Sequence, residues 1–208
     1  MKQELPIFPL GTTYIPGDLV QLHIFEDRYI QMCSDIEASN SEFVSVLIER
    51  GHEVGGGDIR SSYGVAVVVD DLFRADGRIL LSGHATHSVE ISEWLPDNPY
   101  PRGVCAALDF QMPLGVSTHS GLDALRALLT RLESAEAIAL NDEISRILEL
   151  EDVPLDLLGD LFWAVVRLIP SGPQDRYRIL KNQSWMTQLT LLSEMITHFK
   201  EISEFQSR

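Results

Sequence analysis

The side chains most suited to chemistry in this sequence are two histidines, His84 and His87, which lie three residues apart. On a helix this spacing would place both imidazole rings on one face, where they could share a metal ion. On a strand the same spacing places the two rings on opposite faces. The apolar residues around them alternate as in a strand. The sequence therefore predicts no metal site at this pair.

Other candidate acids, bases and nucleophiles lack the neighbours that catalysis requires. His23 adjoins Ile24 and is interpreted as a hydrogen-bonded, half-buried residue rather than as a general base. The carboxylate pairs Asp70-Asp71 and Glu151-Asp152 border a predicted hairpin and a predicted helix start, where carboxylates are usually solvated. The tripeptide Ser82-Gly83-His84 does not form the G-x-S-x-G elbow of a serine hydrolase. The sequence predicts no catalytic residue and no enzyme activity.

The glycine run Gly55-Gly56-Gly57 is the feature closest to a phosphate-binding loop. A P-loop has the pattern G-x-x-x-x-G-K-[ST], in which backbone amides and the lysine hold the phosphates. Here Asp58 and Ile59 follow the glycines, so a carboxylate stands where the phosphates would lie. We interpret the run as a flexible turn and predict no cofactor.

The two cysteines, Cys33 and Cys105, are predicted to be buried structural thiols. They are too few for a disulfide framework and lack the spacing of a zinc site. No stretch approaches the ~20 apolar residues that span a bilayer. The apolar stretch at residues 5–10 is short, contains two prolines and does not match a signal peptide. A cytoplasmic location is expected.

The charge balance limits the classes of partner. The chain of 208 residues has 31 acidic and 16 basic side chains, a formal net charge of -15, and 45% hydrophobic residues. Such a hydrophobic fraction is typical of a globular protein. An acidic surface repels the phosphates of nucleic acids and of anionic membranes. The sequence therefore predicts neither a nucleic-acid partner nor a membrane partner.

The elements that would position these residues change in kind near residue 115. In residues 1–115 the apolar residues form short β-branched runs separated by Gly, Pro, Asp and Asn, which is typical of strands. In residues 116–208 they recur at helical spacing. We therefore predict an α+β protein, with a β-rich subdomain over residues 1–115 followed by a helical bundle over residues 116–208.

The β-rich part is predicted to contain one helix and one tight hairpin. The helix follows a turn at Pro16-Gly17, and its apolar stripe comprises Phe25, Tyr29, Met32 or Cys33, and Ile36. The dipeptide Asp76-Gly77 tolerates the positive φ values of a two-residue hairpin turn. The predicted strands cover residues 43–48, 63–70, 79–83, 88–91 and 102–110.

The helical part is predicted to contain four or five helices. They cover residues 122–132, part of 142–150, a segment from Pro154 to the Pro170-Ser171-Gly172-Pro173 stop, a short helix from Gln174, and residues 185–199 with Ser184 as a candidate N-cap. Trp163 and Trp185 occupy the apolar stripes and are predicted to lie in the core.

Three aromatic residues, Phe73, Trp94 and Tyr100, lie in predicted loops or at strand ends. Loops often carry recognition, and exposed aromatic side chains can anchor apolar segments of a partner. We therefore take these three residues as candidate binding anchors. The alternative is that they pack beneath the loops.

An ordered set of short motifs resembles the N-terminal domain of Lon proteases over essentially the whole chain. The motifs are Leu5-Pro6-Ile7-Phe8-Pro9-Leu10, Pro16-Gly17, Leu22-His23-Ile24-Phe25-Glu26-Asp27-Arg28-Tyr29, Gly51-His52-Glu53-Val54-Gly55-Gly56-Gly57, Tyr63-Gly64-Val65, Asp76-Gly77-Arg78-Ile79-Leu80-Leu81 and Tyr100-Pro101-Arg102-Gly103-Val104. Within this signature we expect structural roles for Pro9, Pro16, Gly17, His23, Phe25, Glu26, Arg28, Tyr29, Gly55, Gly56, Gly57 and Gly77.

The resemblance implies a PUA-like pseudo-barrel followed by a helical subdomain, and a recognition module without ATPase or peptidase chemistry. Its expected partner is an unfolded or partly folded polypeptide, or a protein, in a setting related to protein quality control. Fold analogy alone supports an alternative, a small-molecule binder or cryptic hydrolase that uses the barrel as a pocket. Both a monomer and a weak homo-oligomer are compatible with the sequence.

Overall fold

In a computed structural model, the protein is described over residues 2–39, 42–53, 57–109, 111–113, 116–133, 149 and 153–206. The strands are β1 (Lys2–Leu10), β2 (Leu19–Ile24), β3 (Phe43–Arg50), β4 (Ile59–Ala75), β5 (Arg78–Leu95) and β6 (Arg102–Ala107). The helices are α1 (Asp27–Ser39), α2 (Thr118–Glu133), α3 (Leu155–Leu168), α4 (Pro173–Leu180) and α5 (Trp185–Gln206). The predicted helix within residues 142–150 lies outside the described residues, apart from Glu149.

The strands form a mixed sheet that closes on itself. Its order is β2-β5-β4-β3-β1-β6, and a further pairing joins β6 to β5. The 18-residue strand β5 makes closure possible, because β4 pairs with it from Arg78 to Glu90, while β2 pairs with Ile79 to His84 and β6 with Val89 to Leu95. β2 is attached outside the closed ring of β5, β4, β3, β1 and β6. This arrangement confirms the predicted β-rich pseudo-barrel.

Apolar side chains from alternate strand positions fill the barrel. The buried cluster comprises Leu5, Ile7, Val44, Val46, Ala66, Val89, Ile91 and Cys105. Consecutive residues are buried over Phe43–Leu47 of β3 and Gly64–Val67 of β4, so both faces of each strand are covered there, which explains the continuous apolar run of Val65 to Val67. Because small barrels fill their interior with side chains, this cluster is the core of the β part.

The turn between β4 and β5 confirms the predicted hairpin. Asp76 has a φ of 50° and Gly77 a φ of 73°, so both central residues adopt the left-handed conformation that a type I′ turn requires. Ala75 and Arg78 pair directly across the turn. The turn therefore fixes the register of the hairpin as far as the irregularity between Val69 and Asp71.

Several strand boundaries differ from the prediction. Residues 79–83 and 88–91 belong to the single strand β5, and the strand predicted over 102–110 ends at Ala107. β1 and β2 were not predicted as strands. β1 contains Pro6 and Pro9, yet β6 pairs with Lys2 to Pro6 and β3 with Ile7 to Leu10. Each half of β1 has one partner strand in these registers, so a missing N–H group is tolerated.

The α1 helix confirms most of the predicted apolar stripe. Tyr29, Met32, Cys33 and Ile36 are buried. Phe25 was wrongly included, because the helix begins at Asp27 and Phe25 is exposed. The carbonyl of Glu26 accepts the N–H groups of Tyr29 and Ile30, and its carboxylate pairs with Arg28 at 3.0 Å. Acidic residues thus open the helix, where a negative charge complements the helix dipole.

Aromatic contacts mark the core of the helical part. The Phe162 ring lies 5.2 Å from that of Trp163 and 5.7 Å from that of Trp185. Both tryptophans are buried, as predicted. Arg131 of α2 donates hydrogen bonds to Ser193 and Thr197 of α5 at 2.8 and 3.1 Å. Pro154 is the N-cap of α3 rather than a residue of its first turn. Among the helices of the described segments, none is long and apolar enough to cross a membrane.

The chain divides into two compact units. One comprises Met1–Asp109 with Gly172–Lys181, and the other Phe110–Ser171 with Asn182–Arg208. Helix α4 therefore belongs with the barrel, and we call the first the barrel unit and the second the helical unit. Arg176 pairs with Asp18 at 2.8 Å, and the Thr13 hydroxyl donates to the Pro173 carbonyl at 2.9 Å. The division into two sequential subdomains at residue 115 stays a prediction.

We expect neither cysteine to react quickly with a thiol reagent in the native protein. Cys33 and Cys105 are free and buried, and burial raises the pKa of each thiol to about 11. Little thiolate is present near neutral pH, and reagent access is blocked. Titration with a chromogenic disulfide should give slow release before denaturation and two equivalents after it. Rapid reaction of the native protein would contradict this placement.

Candidate functional site

Large apolar side chains are exposed on the outer face of the sheet formed by β2, β5 and β4. His23 of β2 pairs with Leu80 of β5, which in turn pairs with Phe73 of β4. Directly opposed residues project from the same face of a sheet, so these side chains form one row across three strands. Leu80 is 54% exposed and Phe73 61% exposed. The row therefore offers apolar area to solvent.

Two further apolar residues extend this row along β2. Phe25 follows the strand, is 50% exposed, and its ring lies 6.0 Å from that of His23. Leu19, at the start of the strand, is 78% exposed. We call these five residues the outer-face patch; it comprises Leu19, His23, Phe25, Phe73 and Leu80. Contiguous apolar patches on soluble proteins often mark interaction sites.

The local sequence explains why the patch forms. In β2 exposed and buried positions alternate, with Val20, Leu22 and Ile24 facing inward. Leu19, Gln21 and His23, at the intervening positions, must then face outward, because side chains alternate along a strand. The Asp76-Gly77 turn places Leu80 opposite Phe73. The patch thus follows from one alternating strand and one tight turn.

Two adjoining hollows lie over the centre of the patch. Both are lined by His23, Phe73 and Leu80. The first has a volume of about 430 Å³ and is also lined by Ala75, Asp76 and Arg78. The second has a volume of about 370 Å³ and is also lined by Gln21, Leu22, Asp71, Leu81 and Ser82. Each hollow is lined by both apolar and polar side chains, a combination that binding sites commonly show.

The two adjacent aspartates at the bulge of β4 have different surroundings. Asp70 accepts a hydrogen bond at Oδ1 from Nδ1 of His84 when that nitrogen is protonated, at 2.9 Å. Asp71 faces Ser82 across the hairpin and accepts the N–H of Leu72 at 2.9 Å. Within the described segments, no basic side chain lies within ion-pair distance of Asp71. The negative charge of Asp71 therefore stays uncompensated at the edge of the second hollow.

The two histidines considered for metal binding have separate surroundings. Both lie on β5, in agreement with the strand-like alternation around them, although the predicted strands 79–83 and 88–91 left them in between. His84 contacts Asp70, whereas Nδ1 of His87 lies 3.0 Å from the Thr86 hydroxyl. Across the described ranges, no group of three or more His, Cys, Asp or Glu side chains is arranged to hold a metal ion.

Of the three predicted aromatic anchors, the patch includes Phe73. Trp94 packs against the barrel core, and the guanidinium of Arg60 lies 5.4 Å from its ring centroid. Tyr100 is buried, and its hydroxyl donates to Asp35 at 2.7 Å. Burial and this hydrogen bond raise the pKa of Tyr100 to about 12. Because a surface anchor must be accessible, the prediction for Tyr100 is wrong, whereas Trp94 remains half-buried.

Arg60 links the segment after the glycine run to the end of β5. It pairs with Asp58 and with Asp97, each at 2.6 Å. Burial alone would raise the pKa of Asp58, but hydrogen bonding and attraction from Arg60 outweigh burial and hold that pKa below its usual value. Together with the contact to Trp94, this pairing gives Arg60 and Asp58 a structural role.

The signature residues occupy several environments. Pro9 pairs with Val46, the N–H of Gly17 donates to Ala85, and the ring of Tyr29 lies 4.3 Å from that of Phe8. Gly17, Gly57 and Gly77 have positive φ values. Gly55 and Gly56 lie outside the described residues. His23 is exposed rather than half-buried, and with Phe25 it belongs to the outer-face patch.

Leu80, Leu19 and the exposure of Phe25 were missed by sequence reasoning. A signal for Leu80 was present, because a two-residue turn at Asp76-Gly77 pairs positions equally distant from it. Phe73 and Leu80 stand three residues on either side of that turn. The contribution of β2 had no comparable signal, since its pairing with β5 is not set by a turn.

This closed, mixed sheet and the separate helical unit define an α+β fold that solved structures share. A Lon N-terminal domain protein from Xanthomonas campestris matches with a TM-score of 0.62 and 22% identity, over 91% of this chain and 96% of that chain. The N-terminal domain of a Mycobacterium avium complex Lon protease matches with a TM-score of 0.59 and 13% identity, over 94% and 98% of the two chains.

The sequence itself places the chain in a family. Residues 4–198 match the model of the ATP-dependent protease La (LON) substrate-binding domain. The chain belongs to this family of substrate-binding domains. A search of curated proteins finds no match.

Proposed function

We propose that this protein is a non-catalytic module that binds unfolded or partly folded polypeptides through the outer-face patch. The observation that carries the proposal is the outer-face patch, in which four exposed apolar side chains and His23 lie on or beside three paired strands, in a chain whose family is described as substrate-binding. Unfolded chains expose apolar side chains, which gain free energy when an apolar surface covers them. The neighbouring hollows give such side chains a place to lodge.

The rigid position of the patch favours this role. Phe73 and Leu80 project from paired strands of one hairpin, so little ordering is needed before a partner binds. The opposite face of β5 is held by the fold, because Ile79 and Leu81 are buried. Arg74, also in β4, pairs with Glu37 of α1 at 3.0 Å. A preformed apolar surface on a fixed support suits repeated binding of different segments.

Replacing Leu80 with serine is expected to weaken polypeptide binding about tenfold, because it removes a central apolar anchor. Binding is measured by fluorescence anisotropy with labelled ribonuclease A that has been reduced and carbamidomethylated, so that it stays unfolded. Ile59→Ser is the matched control. Ile59 also lies in a strand and is 51% exposed, but it is not part of the patch. The control should bind as tightly as the unchanged protein.

Equal affinity of the Leu80→Ser and Ile59→Ser variants would show that the outer-face patch is not the surface that binds the polypeptide. Absence of binding by the unchanged protein would overturn the proposed function itself. Concentration-dependent self-association that disappears in the Leu80→Ser variant would assign the patch to an interface between two copies of the chain. Light scattering across a concentration series distinguishes that outcome.

The alternative of a small-molecule binder or cryptic hydrolase gains no specific support. The interior of the barrel is occupied by the buried apolar cluster that forms its core, which includes Leu5 and Cys105. His84 and Asp70 form a pair on the surface, but a base needs a positioned nucleophile to act in covalent catalysis. The alternative, the link to quality control and the cytoplasmic location stay predictions.

A further inference from the structure

We propose that the second hollow selects polypeptide segments that carry lysine or arginine two residues from a large apolar side chain. This inference rests on the proposed function, since it specifies the segments that the outer-face patch would bind. It follows from the position of Asp71 beside Phe73 and Leu80. The inference has two premises, the charge that Asp71 gives the hollow and the spacing between Asp71 and the apolar pair of Phe73 and Leu80.

The charge of the hollow comes from Asp71. Among the described residues that line it, Asp71 is the one formally charged group, beside Gln21, Ser82, His23 and apolar side chains. The neighbouring carboxylate of Asp70 is engaged by His84, whereas Asp71 has the N–H of Leu72 as its hydrogen-bond partner. A lysine or arginine of a bound segment would therefore meet an uncompensated negative charge. The amide oxygen of Gln21 and the hydroxyl of Ser82 are further acceptors for such a group.

The first hollow lacks this preference. It is lined by both Asp76 and Arg78, whose opposite charges offset each other. The overall net charge of -15 favours basic segments in general, but it does not specify where along a segment the basic residue lies. Because only the second of the two hollows has an unbalanced charge, a bound segment is expected to place its basic residue there, next to Asp71.

The spacing follows from strand geometry. Asp71 and Phe73 are two residues apart on β4, and Ser82 and Leu80 are two residues apart on the paired strand β5. Two residues of a strand span roughly 6.6–6.8 Å and project from the same face. A bound segment in extended conformation has the same repeat. A side chain over Phe73 and Leu80 therefore places the side chain two positions away over Asp71 and Ser82.

The test uses labelled eleven-residue peptides with a central phenylalanine in a Gly/Ser background and the 208-residue chain. Variable residues at both positions two away from phenylalanine are lysine, glutamine or glutamate, so either chain direction is covered. A fourth peptide carries its lysines one position away. Affinity should fall from lysine to glutamine to glutamate by about two- to fivefold per step, as for exposed ion pairs, and decrease with salt. The fourth peptide should bind more weakly than the first, although its net charge is the same.

Variants of Asp71 separate local charge from overall charge. Asp71→Lys should reverse the order so that the glutamate peptide binds best, and Asp71→Asn should reduce the differences. Glu93→Lys is the matched control, because Glu93 is an exposed carboxylate towards the other end of β5. It makes the same change in net charge and should preserve the order.

Each outcome bears on a different claim. Equal affinities for the lysine and glutamate peptides, or equal effects of Asp71→Lys and Glu93→Lys, would overturn the inference. Binding of the phenylalanine peptides that is lost when phenylalanine is replaced by serine would then still support the proposed function. Failure of every peptide and of unfolded ribonuclease A to bind would overturn both.

Discussion

Replacing Leu161 with aspartate is expected to lower the free energy of unfolding by roughly 4–5 kcal/mol or more. Leu161 is buried in α3, among Leu158, Phe162 and Val165 on the same helix. The substitution removes the packing of an apolar side chain and places a carboxylate at a position that is 2% exposed. Small proteins have total stabilities of about 5–15 kcal/mol, so most of the helical unit's stability would be lost.

The emission of Trp163 and Trp185 reports this loss, because both indoles are buried in the helical unit. Thermal unfolding is followed through tryptophan fluorescence and far-UV circular dichroism. Leu155→Asp is the matched control, since it makes the same substitution at an exposed position of the same helix. An aspartate in the first turn complements the helix dipole. An unchanged midpoint for Leu161→Asp would show that Leu161 is outside the core.

Adding one methyl group at Gly64 is expected to destabilise the barrel unit by about 3 kcal/mol, at the upper end of the usual cost of overpacking. A Cβ at this position would clash with the Ser45 carbonyl oxygen and would lie 2.8 Å from Cγ1 of Val46 and 2.9 Å from Cγ1 of Val44. The carbonyl cannot turn aside without disturbing the pairing of β3 with β4. Only glycine lets the two strands approach this closely.

Urea unfolding of Gly64→Ala, followed by circular dichroism in the strand region, measures this cost. Gly172→Ala is the control, because a methyl group there meets nothing within 4 Å and the φ of Gly172 is -75°. The control should lose only about 0.5–1 kcal/mol, because Gly172 is the N-cap of α4 and alanine is less favourable than glycine at that position. A midpoint for Gly64→Ala equal to that of the control would mean that β3 and β4 are farther apart than described.

Elements with strong local signals were predictable from the sequence. The hairpin at Asp76-Gly77 depends on backbone conformations that few residues adopt, and α1 carries a stripe at helical spacing. β1 was missed because Pro6 and Pro9 argue against a strand inside a sheet. Its two halves have different partners, β6 and β3, and that arrangement depends on distant parts of the chain. Local propensity contains no information about it.

The candidate site was predictable only in part for the same reason. Phe73 was proposed from its aromatic side chain, and Leu80 follows from the turn once the hairpin is accepted. Tyr100 was misjudged because its hydroxyl partner, Asp35, lies 65 positions away in the sequence. His23 joins the patch through the pairing of β2 with β5. To predict an exposed surface that three strands form together, one must know how these strands pair and in which register. The composition of the sequence does not contain that information.

The return of the chain to the barrel unit at Gly172–Lys181 imposes an order on biosynthesis. At about 5–20 residues per second, a ribosome needs roughly 3–12 s to translate the 62 residues between Asp109 and Gly172. The ion pair between Asp18 and Arg176 therefore forms at least that long after Asp109 has been translated. The carboxylate of Asp18 is already oriented by a local contact. The same oxygen that pairs with Arg176 also accepts the N–H of Ile15 in a local turn. The acceptor is therefore oriented by residues that emerge early, before its cationic partner has been synthesised.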